Sequence, residues 1–207
     1  MLIKTLFAGA GGQGVLSMGF CLAYAGMEED LHVTYMPAYG AEVRGGTANC
    51  TIVVSDEEIA SPIASSPDNI VILNNPSLLR FQNAGRANGT YLINSSLVNG
   101  RLKRTDVTAL YMPASEMAEK SGSLRNTNMM LLGAFVATSK VVPMDTMLSA
   151  IADIFAKKNK KVIDINQQAL QAGYDWAAKE LAGKAKPVAK KKTAKKPAAK
   201  TRAAARK

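Results

Sequence analysis

Residues 2–27, LIKTLFAGAGGQGVLSMGFCLAYAGM, constrain the fold of this chain more than any other stretch. An apolar run of strand length, LIKTLFAG, leads directly into Gly9, Gly11, Gly12 and Gly14. VLSMGFCLAYAGM follows, with apolar residues at helical spacing. A strand that feeds a helix through a glycine turn is the start of a βαβ unit. Gly9, Gly11 and Gly14 also keep the spacing G-x-G-x-x-G. Glycines let a backbone turn tightly and approach a ligand, and a helix N-terminus offers unpaired N–H groups and positive potential. The turn therefore reads as a phosphate cradle. A plain tight turn without a ligand is the competing reading of this motif alone. A nicotinamide dinucleotide would also require an acid at the end of the second strand. That strand, HVTYM, ends in TYMP, and Asp30 precedes it, so a nicotinamide dinucleotide is disfavoured.

The rest of the body continues the alternation. PAYGAEVRGGT reads as a long glycine-rich loop, and NCTIVVS with EIASP as a hairpin about Asp56 and Glu57. NIVILN, GTYLIN and VTALYM read as further strands. Asn75 and Pro76 open the helix PSLLRFQNA, and Ser115 is expected to cap SEMAEK. Asn126 and Asn128 are expected to cap the apolar helix NTNMMLLGAFVATSK. Helices over 143–157 and 167–181 close the body. The expected fold is α/β, with a mainly parallel sheet, helices on both faces and an antiparallel hairpin inside it or at one edge.

Charge divides the chain in two. Residues 1–183 carry a net charge of −1 and residues 184–207 carry +11, with no acid in the latter. The first segment is expected to be one folded domain. The second, KAKPVAKKKTAKKPAAKTRAAARK, has too little apolar surface to offset its ordering entropy, and is expected to be a disordered basic tail. Eleven cations in that tail imply non-specific, salt-dependent attraction to polyanions such as nucleic acid, or to an acidic partner. A recognition motif for a particular nucleic-acid sequence is absent. No apolar run reaches membrane-spanning length, and the N-terminus lacks a signal-peptide pattern, so a cytoplasmic protein is expected.

Two cysteines, Cys21 and Cys50, and one histidine, His32, restrict the chemistry. An iron–sulfur cluster takes about four thiolates, and a structural zinc site about four Cys or His ligands. Neither set exists here, so no metal-binding residues are assigned. His32 reads as an ordinary strand residue. In YGAEVRGG, Glu42 and Arg44 share one side of an extended chain. Arg44 beside Gly45 and Gly46 suits a phosphate or carboxylate, because the glycines remove bulk around a planar bidentate donor.

AGAGGQGV, YMPAYGAEVRGGTANCTIVVSDEEIASPIASSPDNIVILN and NTNMMLLGAF together resemble the gamma subunit of 2-oxoacid:acceptor (ferredoxin) oxidoreductases, most like the 2-oxoglutarate branch. The similarity runs from about residue 3 to about residue 173. It implies a Rossmann-like domain packed against thiamine-binding alpha and beta subunits, with a ferredoxin-type subunit or carrier. Such enzymes convert a 2-oxoacid and coenzyme A into an acyl-CoA and CO2 while reducing the carrier. The resemblance implies that thiamine diphosphate and iron–sulfur clusters are held by partner subunits, and that this chain alone is inactive and has no catalytic residue. It also implies a coenzyme A contact at Gly11, Gly12, Gln13, Gly14, Arg44, Gly45 and Gly46. The loop around Tyr39, Glu42 and Arg44, together with Asn128, reads equally as an assembly surface. Pyruvate, branched-chain 2-oxoacids and aryl pyruvates stand as other substrates. A stand-alone nucleotide or coenzyme A binding module, and a polyanion-binding protein acting through its tail, are the alternatives from other functional classes.

Overall fold

The computed structural model describes residues 1–40 and 45–184. Among these residues, strands β1 (Leu2–Ala10), β2 (His32–Tyr39), β3 (Thr47–Ser55), β4 (Asn69–Ile72), β5 (Thr90–Asn94) and β6 (Thr108–Met112) form one sheet. Its order is β2-β3-β1-β4-β5-β6. The β1–β4, β4–β5 and β5–β6 pairs are parallel, and β3 lies antiparallel to both β1 and β2. The expected α/β architecture is therefore present, with the antiparallel element inside the sheet and β2 at its edge.

The hairpin differs from the one expected. Its arms are β2 and β3, paired from His32↔Ser55 to Tyr39↔Ala48. EIASP forms no strand. β3 alternates Cys50, Ile52 and Val54 with Val53, all buried, so both of its faces and both of its edges are used. Beyond Ser55 the alternation stops. The Ser55 hydroxyl accepts a hydrogen bond from the Glu57 N–H at 3.0 Å and turns the chain away from the sheet.

Helix α1 (Val15–Glu28), α3 (Ala114–Lys120), α4 (Thr127–Ser139), α5 (Met144–Ile154) and α6 (Lys160–Lys184) contribute to the core on one face. Phe7 of β1 meets Phe135 of α4 edge to face, with ring centroids 5.2 Å apart. Helix α2 (Asn75–Phe81) covers the other face over Leu6, Ile70, Tyr91 and Ile93. The Tyr91 hydroxyl is satisfied there. It accepts from the Gly85 N–H and lies 2.9 Å from the Gln82 carbonyl, to which it donates. Helices α4 and α6 touch through backbone at Gly133 and Gly173. A β-carbon on either would collide with a carbonyl of the other helix, Leu170 or Met130.

Several caps depart from expectation. Asn74, not Asn75, caps α2, accepting from the Ser77 N–H at 3.0 Å, so Pro76 sits one residue further in. Ser115 lies within α3, held by the Asn94 amide at 2.9 Å, because Pro113 occupies the cap position. Asn126 stands at the N-cap position of α4 but its side chain makes no capping bond, and Asn128 lies inside the helix; a short 3-10 turn, Leu124–Asn126, precedes it, and the Thr127 N–H donates to the Leu124 carbonyl. Helix α6 begins at Lys160, earlier than the expected 167, with Asn159 accepting from the Lys161 N–H. The basic segment 185–207 lies outside the described residues.

Candidate functional site

The parallel register aligns Ala8, Ile72, Ile93 and Tyr111 across four strands. The loops after β1, β4, β5 and β6 therefore emerge along one edge of the sheet. That edge, where strand connections diverge to opposite sides of β1, is where open α/β sheets place their ligands. The glycine turn 11–14 occupies it.

The turn is built by internal bonds. The Gln13 side-chain oxygen accepts from the Ala10 N–H at 2.7 Å and from the Asn74 amide at 3.4 Å. The Gln13 N–H returns to the Ala10 carbonyl at 3.1 Å. Gln13 thus ties the β1 loop to the cap of α2, and its oxygen is not available to a ligand. Gly14 takes φ +74 and is the N-cap of α1, with no side chain to bond the first turn. A β-carbon at Gly14 would run into the Asn128 amide, which donates to the Gly14 carbonyl at 3.5 Å. Asn128 is 8% exposed, so its amide acts within this chain, behind the turn.

The second glycine pair closes onto the first. The Gly11 N–H donates to the Gly46 carbonyl at 2.8 Å, and the Gly45 N–H approaches the Gly11 carbonyl at 3.4 Å. The two motifs, 35 residues apart in sequence, form one double loop. The bond consumes the N–H of Gly11. Among the described residues the N–H groups of Gly12 and Gly14 keep no protein partner, and a β-carbon at Gly12, which has φ +92, would meet nothing. Gly12 is therefore the open point of the turn. Glu42 and Arg44 lie outside the described residues.

Two cavities flank Gly12. One, about 410 Å³, lies between the turn, Val15, Ala48 and the exposed Tyr39. The other, about 310 Å³, is lined by Gln13, Leu73, Asn94, Ser115, Arg125 and Thr127. Arg125, Asn94 and Ser115 escaped the sequence reading as site residues. They stand at the ends of unrelated elements, and no local pattern links them to the glycine turn. The only signal was positional: Asn94 and Ser115 follow strands whose ends must share the ligand edge.

The position for a ribose-binding acid is also displaced. Antiparallel β3 separates β2 from β1, and Asp30 precedes His32, which pairs with Ser55 at the far end of the sheet from the turn. His32 itself is exposed. Cys21 and Cys50 are buried thiols, with pKa values pushed up by burial from 9.0 to about 12. No cluster of His, Cys, Asp or Glu suited to a metal ion occurs among the described residues. No helix among them is long and apolar enough to cross a membrane.

The fold and the double glycine loop define an α/β domain with a closed glycine turn at the carboxyl edge of its parallel strands. More particularly, the chain belongs to the family described as pyruvate ferredoxin/flavodoxin oxidoreductase, which it matches over residues 4–176. The ketoisovalerate oxidoreductase subunit VorA of Methanothermobacter marburgensis is 40% identical over 182 residues, 87% of this chain. The chain spans 38% of that relative's length. The 2-oxoglutarate synthase subunit KorC of the same organism is 32% identical over 151 residues, covering 70% of this chain and 81% of KorC. In fold, the chain is similar to the gamma subunit of a keto/oxoacid ferredoxin oxidoreductase from Geobacter sulfurreducens PCA. The TM-score is 0.72 at 24% identity, over 84% of this chain and 98% of that one. It also resembles part of the 2-oxoglutarate:ferredoxin oxidoreductase of Magnetococcus marinus, with a TM-score of 0.79 at 24% identity, over 86% of this chain and 31% of that one. That structure contains 2-oxoglutarate, coenzyme A and succinyl-CoA.

Proposed function

We propose that this chain is the gamma-type subunit of a multi-subunit 2-oxoacid:ferredoxin oxidoreductase. The family match over residues 4–176 is the observation that carries this reading. The assembled enzyme converts a 2-oxoacid, coenzyme A and oxidised carrier into an acyl-CoA, CO2 and reduced carrier. Thiamine diphosphate and the clusters reside on alpha, beta and ferredoxin-type partners. Two buried cysteines and no cluster of metal-ligating residues among those described make this chain a poor fit for an iron–sulfur cluster.

Its own contribution is assembly and a contact to coenzyme A. The free N–H groups of Gly12 and Gly14 and the first turn of α1 suit a phosphate. Gly45 and Gly46 hold that turn closed, and Arg44, next to them in sequence, supplies the cation. Tyr39, at the mouth of the larger cavity, fits the rim of a subunit interface.

Two substrates are supported by different observations. The 40% identity to VorA favours a branched-chain 2-oxoacid. Correspondence to 81% of the length of KorC favours 2-oxoglutarate, as expected from the sequence. Affinity purification from the native cell with this chain as bait, followed by viologen reduction with each 2-oxoacid and coenzyme A, tests the reading. Co-eluting subunits with activity support it, and the preferred 2-oxoacid separates the two substrates. A lone, inactive chain from cells shown to express the partners refutes it. Arg44→Ala should raise the KM for coenzyme A in the assembled enzyme; an unchanged KM with impaired assembly would make 39–46 an interface loop instead.

A further inference from the structure

β2 is a free edge of the sheet, paired with β3 on one side only. The Gly40 N–H donates to the Thr47 carbonyl at 3.2 Å, and the β2–β3 register runs uniformly from there. Antiparallel alternation then aims the backbone groups of even-numbered residues in β2 at β3, and those of Val33, Tyr35, Pro37 and Tyr39 away from it. No Lys, Arg, Asp or Glu blunts this edge, as charged side chains usually do. Beside it, Leu16, Phe20, Ala23 and Met27 recur at i, i+4, i+7 and i+11 along α1. They lie on its β2 side: the Phe20 and Tyr35 ring centroids are 6.5 Å apart, and a β-carbon at Gly26 would touch Val33. Phe20 is 48% exposed and Met27 59%. An apolar helix seam and an unpaired strand edge thus present one surface in two layers.

A second observation falls on the middle of this edge. Thr34 Oγ1 is, among the described residues, the one buried side-chain nitrogen or oxygen with no hydrogen-bond partner. Leaving a buried hydroxyl unpaired is costly. A two-fold axis through Thr34 sets Val33 of one copy opposite Tyr35 of the other, where each exchanges its N–H and carbonyl. Pro37, which has no N–H, then faces Leu31, whose N–H is already given to the Gly26 carbonyl. Thr34 faces itself in a non-hydrogen-bonded pair, the closer kind in an antiparallel ladder, and a χ1 rotation joins the two hydroxyls. In α1 the same axis passes between Phe20 and Ala23, because Gly19 lies against Tyr35 and Gly26 against Val33. Phe20 then enters the space left by the small Ala23 of the second copy.

We propose that this face pairs with a second copy of this chain, β2 against β2 and α1 against α1, in one continuous two-fold sheet. Charge fits that occupant. Glu28, Glu29 and Asp30 sit together at one end of the surface, and neither α1 nor β2 carries a Lys or Arg. The antiparallel arrangement keeps the two acidic ends about 27 Å apart, one strand length. Size fits too. A strand about 27 Å long and two layers about 20 Å deep offer about 500 Å² on each copy. The total of about 1,000 Å² reaches the threshold of a specific interface. The inference stands apart from the proposed oxidoreductase role and is read without activity.

Sedimentation of the full chain over a concentration series, at high salt to screen the basic segment, should show a species of twice 22.0 kDa. Phe20→Glu should weaken self-association about 30-fold or more, the loss of one hot spot, with the far-UV circular dichroism unchanged. Thr34→Cys should form an intermolecular disulfide under mild oxidation, since the paired α-carbons stand about 4.5 Å apart. Met36→Cys, off the axis, should not. Cys21 and Cys50 are buried and stay out of the reaction. A monomer at every concentration, a dimer undiminished in Phe20→Glu, or crosslinking at Met36→Cys in place of Thr34→Cys would overturn the proposal. So would a monomer whose Phe20→Glu variant no longer co-purifies with partner subunits, since the face would then belong to a different chain.

Discussion

Replacing Gly14 by alanine should destabilise the chain by two separable effects. Gly14 sits at φ +74, and a side chain in that region costs about 1–2 kcal/mol. Its β-carbon would also strike the Asn128 amide, a crowding cost of about 1–3 kcal/mol. Together these give about 2–5 kcal/mol. Gly12→Ala isolates the first effect, because Gly12 has φ +92 but open space around the missing β-carbon. Asn128→Ala removes the colliding amide, so the Gly14→Ala/Asn128→Ala double variant should regain part of the loss. The assay is urea unfolding of the full chain, followed by the fluorescence of Trp176, the single tryptophan. The double-mutant cycle should show a favourable coupling above about 0.5 kcal/mol. Equal losses for Gly14→Ala and Gly12→Ala, or strict additivity with Asn128→Ala, would refute the packing argument and leave Gly14 a turn residue only.

Gly133→Ala should cost about 3 kcal/mol or more, because its β-carbon would meet the Leu170 carbonyl, and backbone cannot move aside as a side chain can; soluble yield and Tm measure it. Gln13→Ala should lower stability by about 1–3 kcal/mol, since it leaves the Ala10 N–H without its side-chain partner; a denaturant midpoint within error of the parent would contradict this. Cys21 and Cys50 should resist a thiol reagent at pH 8 in the native chain and react in urea. Burial raises both folded pKa values from 9.0 to about 12, so the stabilisation is complete below pH 9 and is lost as pH rises towards 12. Melting curves across that range should show a falling Tm, and a rising one would refute the assignment.

Local chemistry carried much of this protein in the sequence itself. Apolar runs of strand length, the glycine turn and the apolar stretch of α4 each declare themselves within a dozen residues, because their periodicity and backbone demands are local. The phosphate-cradle reading of 11–14 comes from the same range, as does the charge step at residue 184. Pairing was a different matter. NCTIVVS has the alternation of a strand wherever it goes. Only the tertiary structure decided that its partners are β1 and β2, because a strand's edge bonds carry no sequence label. Caps shifted for a related reason: Ser115 and Asn128 are good capping residues, but Asn94 and Gly14 offered them partners from elsewhere in the fold. The closure of Gly11 on Gly46 and the approach of Arg125 to Gly12 join residues far apart in sequence. Such contacts exist only once burial of the core has set where each loop ends.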